Sequence, residues 1–191
     1  MRFWVIIVLI VIGLFGAASV NTIPTLDEDV KAKWAEVENQ YQRRMDLIPN
    51  LVETVKGYAN FEQKTLTDVI EARANATKVT ISADTINDPE AFKKFEQVQG
   101  ALSSALSRLM AVSERYPELK ANQNFLSLQS QLEGTENRIS VARKDYITSV
   151  QAYNVEVRTF PGSIWAIFYH AKPKPEFSAT EGAEKPPAVK F

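Results

Sequence analysis

Cysteine is absent from the 191 residues, and histidine occurs once, at His170. The first absence excludes disulfides, thiolate metal sites, a cysteine nucleophile and an acylated lipoprotein cysteine. The second removes His-based acid–base relays and multi-His metal centres. Glycine is scarce, at seven residues, which fits helices better than a loop-rich fold. There is no Gly-rich phosphate loop, and Walker and G-x-S-x-G signatures are missing as well. No charge of one sign dominates, since 22 Lys+Arg face 23 Asp+Glu and the pI is about 6.0. A nucleic-acid binder carries a basic face or a domain pI above about 9, so a nucleic-acid partner is not expected. Glu133 and Glu136 form a carboxylate pair, but a di-metal bundle needs Glu-x-x-His on two helices. No such motif occurs. No catalytic residue, metal ligand or cofactor is therefore expected.

What is present begins with a long uncharged run: Phe3-Trp4-Val5-Ile6-Ile7-Val8-Leu9-Ile10-Val11-Ile12-Gly13-Leu14-Phe15-Gly16-Ala17-Ala18-Ser19-Val20. Its 18 residues, rising ~1.5 Å each, just reach across a hydrocarbon core of ~30 Å. Trp4 stands where an interfacial aromatic would. A cleaved signal peptide is the alternative, with Gly16-Ala17-Ala18 as its small-residue site, but the run exceeds the usual ~7–15-residue apolar region. Residues 1–26 are accordingly read as a transmembrane signal-anchor. Arg2 precedes the run and Asp27, Glu28 and Asp29 follow it. The positive-inside rule then leaves the N-terminus cytoplasmic and exports the bulk of the chain.

The body, residues 27–160, reads as helices. Val30, Trp34, Val37, Tyr41, Met45, Ile48, Val52 and Val55 step by three or four and make one apolar stripe. Leu66, Val69 and Ile70 continue it after a softer patch at Gly57–Asn60, with Thr25 or Asp27 as candidate cap. Pro49 predicts a kink or break near Leu47, because it removes one backbone bond and crowds the preceding turn. Residues 81–89 read as a loop, and Asp88-Pro89-Glu90 as a helix start. A second stripe runs from Phe92 to Val112 and stops at Tyr116-Pro117; a third runs from Phe125 to Val157 in a helix of ~60 Å. The fold class is all-α: an N-terminal transmembrane helix followed by an elongated antiparallel up-and-down bundle of three to four long helices.

Two polar stretches interrupt the apolar pattern. In the first, Arg43, Arg44, Asp46 and Asn50 crowd around Pro49, where a freed carbonyl needs a donor. In the second, Glu136 and Arg138 flank the core seam near Gly134, which invites close backbone approach, and Arg143 follows. Facing one another, these residues would form an ion-pair network that fixes helix register. The plainer reading is a solvated helix face.

Phe160-Pro161 ends the last long helix. Residues 161–177 are apolar and aromatic, then basic, and Ser163–Tyr169 is too short to span a bilayer. Docking on the bundle end competes with an interfacial or subunit contact, for which Trp165, Phe168 and Tyr169 are the candidates. Residues 178–191 are Pro-, Lys- and Glu-rich and read as disordered.

The segments WAEVENQYQRRMDLIPNLVETVKGYA (34–59), VIEARANA (69–76), YPELKANQNFLSLQSQLEGTENRISVAR (116–143) and AYNVEVRTFP (152–161) together resemble the LemA family of bacterial membrane-anchored proteins. Tyr146-Ile147 departs from the family's Tyr-Asn, whereas Tyr153-Asn154 keeps it. The resemblance implies a long-helix bundle on one transmembrane helix in a bacterial inner membrane. It also implies an association with magnetosome membranes among some relatives, and no defined activity. From all this the chain is expected to be a non-enzymatic, homo-oligomeric scaffold in contact with the lipid bilayer and possible membrane-protein partners. An adaptor binding one membrane protein in signalling or proteolysis is the alternative.

Overall fold

The stripe that starts at Val30 winds into one uninterrupted helix, α1 (Thr22–Lys56), with all eight of its apolar positions buried. The computed structural model describes residues 3–4, 19–58, 62–79 and 82–178. Helix α1 starts before Asp27: the Thr25 hydroxyl donates to the Asn21 carbonyl inside the first turn, and Asp27 turns to lysines instead of capping. The break expected near Leu47 does not occur, since the helix runs through Pro49. Pro49 has no N–H to offer the Met45 carbonyl one turn back. Arg73 Nε, from α2 (Gln63–Lys78), donates to that carbonyl at 3.2 Å. The orphaned acceptor is thus satisfied from a facing helix, not by Arg43, Arg44 or Asn50. The first arm ends at Gly57 instead.

Helix α2 has 16 residues against 35 in α1, so it lines only the distal half of its neighbour. A 3-10 turn at Thr85–Asn87 leads into α3 (Pro89–Ser113), whose first turn is capped by Asp88 accepting from the Glu90 and Ala91 amides at 2.9 and 3.3 Å. One short turn, α4 (Pro117–Lys120), precedes α5 (Gln123–Arg158), where Asn122 Oδ1 accepts from the Phe125 amide at 3.0 Å. Helix α6 (Gly162–Phe168) follows, and an extended strap runs on to Ser178. Among the described residues the fold is all-helical, with six α-helices and no strand.

The connections make α1 antiparallel to α5 and α2 antiparallel to α3, and each of these pairs is closely packed. Both ends are pinned. At the distal end Asn122 Nδ2 donates to the Tyr58 hydroxyl at 2.9 Å. At the base Trp165 Nε1 donates to Ser19 Oγ at 2.8 Å. The interior divides into two apolar cores. The distal core joins Met45 to Val55 with residues of α2, α3, α4 and early α5. The base core joins Ile23 to Tyr41 with Phe92, Phe95 and late α5, and it is completed by Ile86 and Phe177 where α2 no longer reaches.

Candidate functional site

Between the two cores lies a polar layer. Tyr41 belongs to the base core and Met45 to the distal one, which leaves Arg44 at the seam. Gln99 lies between Phe95 and Leu102, and Glu136 between Leu132 and Ile139, at the same level. The Arg44 side chain is only 1% exposed. Its Nη1 donates to Glu136 Oε1 at 2.8 Å and to Ser103 Oγ at 2.6 Å. Its Nη2 donates to Gln99 Oε1 and, at 3.4 Å, to the Gln99 carbonyl. The guanidinium also lies over the Tyr41 ring, 4.9 Å from its centroid.

A buried guanidinium is tolerable only with this density of acceptors, because desolvation costs several kcal/mol. Arg44 Nε and Gln99 Nε2 remain without a hydrogen-bond partner among the described residues. A groove of about 700 Å³ between α3 and α5 is lined in part by Ser103 and Glu136, two of the partners of Arg44.

The other residues of the expected network are elsewhere. Arg43, Asn50 and Arg138 are exposed, and Asp46 accepts from Gln42 on the surface. Gly134 is not a point of backbone approach: a Cβ there would meet nothing within 4 Å. Arg143 belongs to the base, where its guanidinium lies 4.2 Å from the centre of the Phe177 ring and 3.8 Å from Glu96.

At the base the strap is held by main-chain recognition. Asn154 Nδ2 donates to the Lys174 carbonyl at 2.9 Å, and Asn154 Oδ1 accepts from the Lys174 amide at 2.7 Å. Tyr146 donates to the Pro175 carbonyl at 3.0 Å. Burial, with Glu176 adding to it, pushes the Tyr146 phenol well above its usual range, so it stays a donor. The buried Lys174 ammonium reaches Asn87 Oδ1 at 2.7 Å and Asp27 Oδ1 at 3.0 Å. Burial opposes the Asp27 carboxylate, but hydrogen bonds from Lys31 and Lys174 outweigh it and hold its pKa below the ordinary value. Phe177 closes the strap inside a ring of Phe92, Tyr146, Trp34 and Phe95, with centroids 4.9 to 6.3 Å away.

Helix α6 presents two unlike faces. Its inner face is Gly162 and Ala166, both buried. A Cβ at Gly162 would come within 2.2 Å of the Glu156 carbonyl oxygen, so glycine lets α6 seat on the end of α5. The half-buried Trp165 reaches Ser19. The outer face is Ile164, Ile167 and Phe168, at helical spacing and exposed, with Phe160 and Tyr169 exposed beside it. Of the candidates Trp165, Phe168 and Tyr169, the first is half docked and the other two are open. Sequence reasoning missed Phe160, Ile164 and Ile167, because residues 160–169 are apolar nearly all round and spacing does not tell which face docks. It also missed Asn154, Lys174 and Phe177 as a strap lock, which no local pattern announces.

The transmembrane reading of residues 3–20 falls largely outside the described residues. Of that run Phe3, Trp4, Ser19 and Val20 are described, with Phe3 and Trp4 helical and exposed. No helix among the described residues is long and apolar enough to cross a membrane. The tail beyond Ser178 also lies outside them.

Residues 33–191 match the LemA family. The chain is 26% identical over 182 residues to magnetosome protein MamQ 2 of Paramagnetospirillum magneticum, covering 87% of this chain and 67% of the relative. It is 25% identical over 177 residues to magnetosome protein MamQ of Magnetospirillum gryphiswaldense, covering 80% and 65%. Protein LemA of Metamycoplasma hominis is 21% identical over 161 residues, covering 83% and 69%.

Proposed function

The chain belongs to the LemA family, and from that premise we propose that it is a membrane-anchored, non-enzymatic scaffold of the bacterial inner membrane. In this reading residues 3–20 hold the bundle to the bilayer, with the bundle on the periplasmic side. Its outer faces gather further copies or other membrane proteins. The observation that carries the reading is how the buried charge is used. Arg44 is engaged with Glu136, Ser103 and Gln99 and serves to match three helices in register, which leaves the long outer faces as the working part. Relatives named as magnetosome proteins support a place in membrane organisation. The test is native mass measurement of the full chain in lipid nanodiscs. Assemblies of several copies are expected, and a strict monomer without a co-purifying membrane protein would refute the scaffold.

The groove of about 700 Å³ between α3 and α5 favours a second reading, an adaptor that holds one partner segment there. Site-specific cross-linking from Met110 in the groove separates the two. An adaptor gives a single heterologous product from the groove, whereas a scaffold working through its outer faces gives none from it.

A further inference from the structure

The base of the bundle carries an apolar surface with no use inside the fold. Among the described residues beyond Trp4, nine large hydrophobic side chains are exposed, and five of them fall between Phe160 and Tyr169. Scattered exposed apolar residues need no explanation, but a contiguous group does. The group is ordered. Ile164, Ile167 and Phe168 follow i, i+3, i+4 spacing on α6 and share one face, while Gly162 and Ala166 fill the opposite face against the bundle. Phe160, Ile167 and Phe168 are 75%, 75% and 71% exposed. Helix α6 is therefore seated by its small residues and by Trp165, and holds Ile164, Ile167 and Phe168 outward.

What covers that face follows from where the chain leaves the bundle. The 18-residue uncharged run ends at Ser19-Val20, and Ser19 is hydrogen-bonded to Trp165 of α6 itself. A bilayer entered by that run must lie against this end of the bundle, within a helix diameter of the outer face of α6 (~10 Å). We propose that α6 is an interfacial foot: Phe160, Ile164, Ile167 and Phe168 insert at the headgroup–acyl boundary, with Tyr169 at headgroup level. The occupant is the lipid surface, and the contact is apolar, so it does not require anionic lipid. The foot sets the tilt of the rod on the membrane, because it adds a second attachment beside the anchor. The inference rests on the anchored reading above.

The absence of native cysteine gives a clean test. Ile167→Cys and Phe168→Cys in the full chain, each labelled with an environment-sensitive fluorophore, are reconstituted in phosphatidylcholine vesicles. Leu126→Cys, an exposed apolar position at the distal end, serves as reference. Blue-shifted emission at 167 and 168, quenched by nitroxide-bearing lipid and shielded from aqueous iodide, is expected, with neither effect at 126. Iodide quenching at 167 and 168 equal to that at 126, in protein that still floats with the vesicles, overturns the foot and leaves the anchor standing. A chain that does not float overturns both. Labels shielded from iodide and lipid quencher alike, with cross-linking between copies, would overturn the lipid assignment in favour of a second copy.

Discussion

Arg44 is the most deeply buried charged side chain among the described residues. Replacing it with alanine opens a cavity and leaves Gln99, Ser103 and Glu136 facing it without their donor, so Arg44→Ala is expected to cost about 3–5 kcal/mol in urea unfolding. Glu136, whose side chain is 42% exposed, can turn to water, and Glu136→Gln is expected to cost only about 1 kcal/mol. Arg44→Met combined with Gln99→Leu, which removes donor and acceptor together, should recover much of the alanine loss. Equal losses for Arg44→Ala and Glu136→Gln would count against the layer as drawn. At the strap, Asp27 has its pKa held below the ordinary value of 3.8 by Lys31 and Lys174. A depressed carboxylate stabilises the fold above the unfolded value and loses that contribution as pH falls through the folded one. Protection of residues 172–178 against amide exchange, corrected for the intrinsic rate at each pH, should therefore fall as pH drops below about 4, and Asp27→Asn should remove that dependence.

At the scale of elements, α1 shows how a helix keeps a proline. Arg73 donates to the Met45 carbonyl that Pro49 leaves open. Arg73→Ala is expected to destabilise the chain by about 1 kcal/mol, but by little in a Pro49→Ala background, where the restored amide takes the same acceptor. A double-mutant cycle in urea measures the coupling. The two helical glycines discussed above part company in the same way. Gly134 has open space around its Cα, so Gly134→Ala should stabilise α5 by about 0.5–1 kcal/mol. Gly162→Ala drives a methyl into the Glu156 carbonyl and should unseat α6, read as a loss of the Trp165–Ser19 contact by tryptophan fluorescence. Spacing exposed the helical face of α5, but not which glycine was crowded.

Over the whole molecule, the base core is closed by a residue far along the chain. Helix α2 stops halfway, and the vacant flank is filled by the turn at Thr85–Asn87 and by Phe177 on its strap. Phe177→Ala should cost about 3–5 kcal/mol and act on one half of the rod. Hydrogen exchange should rise around Trp34, Phe92 and Tyr146, while the distal core around Leu51 and Leu109 keeps its protection. Loss spread evenly over both cores would show that the two halves unfold as one unit. The helical stripes, the Asp88 cap and the stop at Tyr116-Pro117 were legible, because period and capping are local properties. The strap lock was not. Asn154 reads as one more polar residue on α5 until Lys174 arrives from 20 positions away.

The amino-acid order by itself determined that the body of the chain is a set of long amphipathic helices, since a stripe repeating every three to four residues has no other way to bury itself. It also determined that no cysteine chemistry is available. Which polar residues enter the interior was decided only by tertiary structure. Arg43 and Arg44 are adjacent and chemically alike, yet one step of 100° around α1 leaves one in water and places the other between three helices. The same holds for the base: α6 is apolar on every side in sequence, and only its seat on α5, through Gly162 and Ala166, leaves Ile164, Ile167 and Phe168 outside.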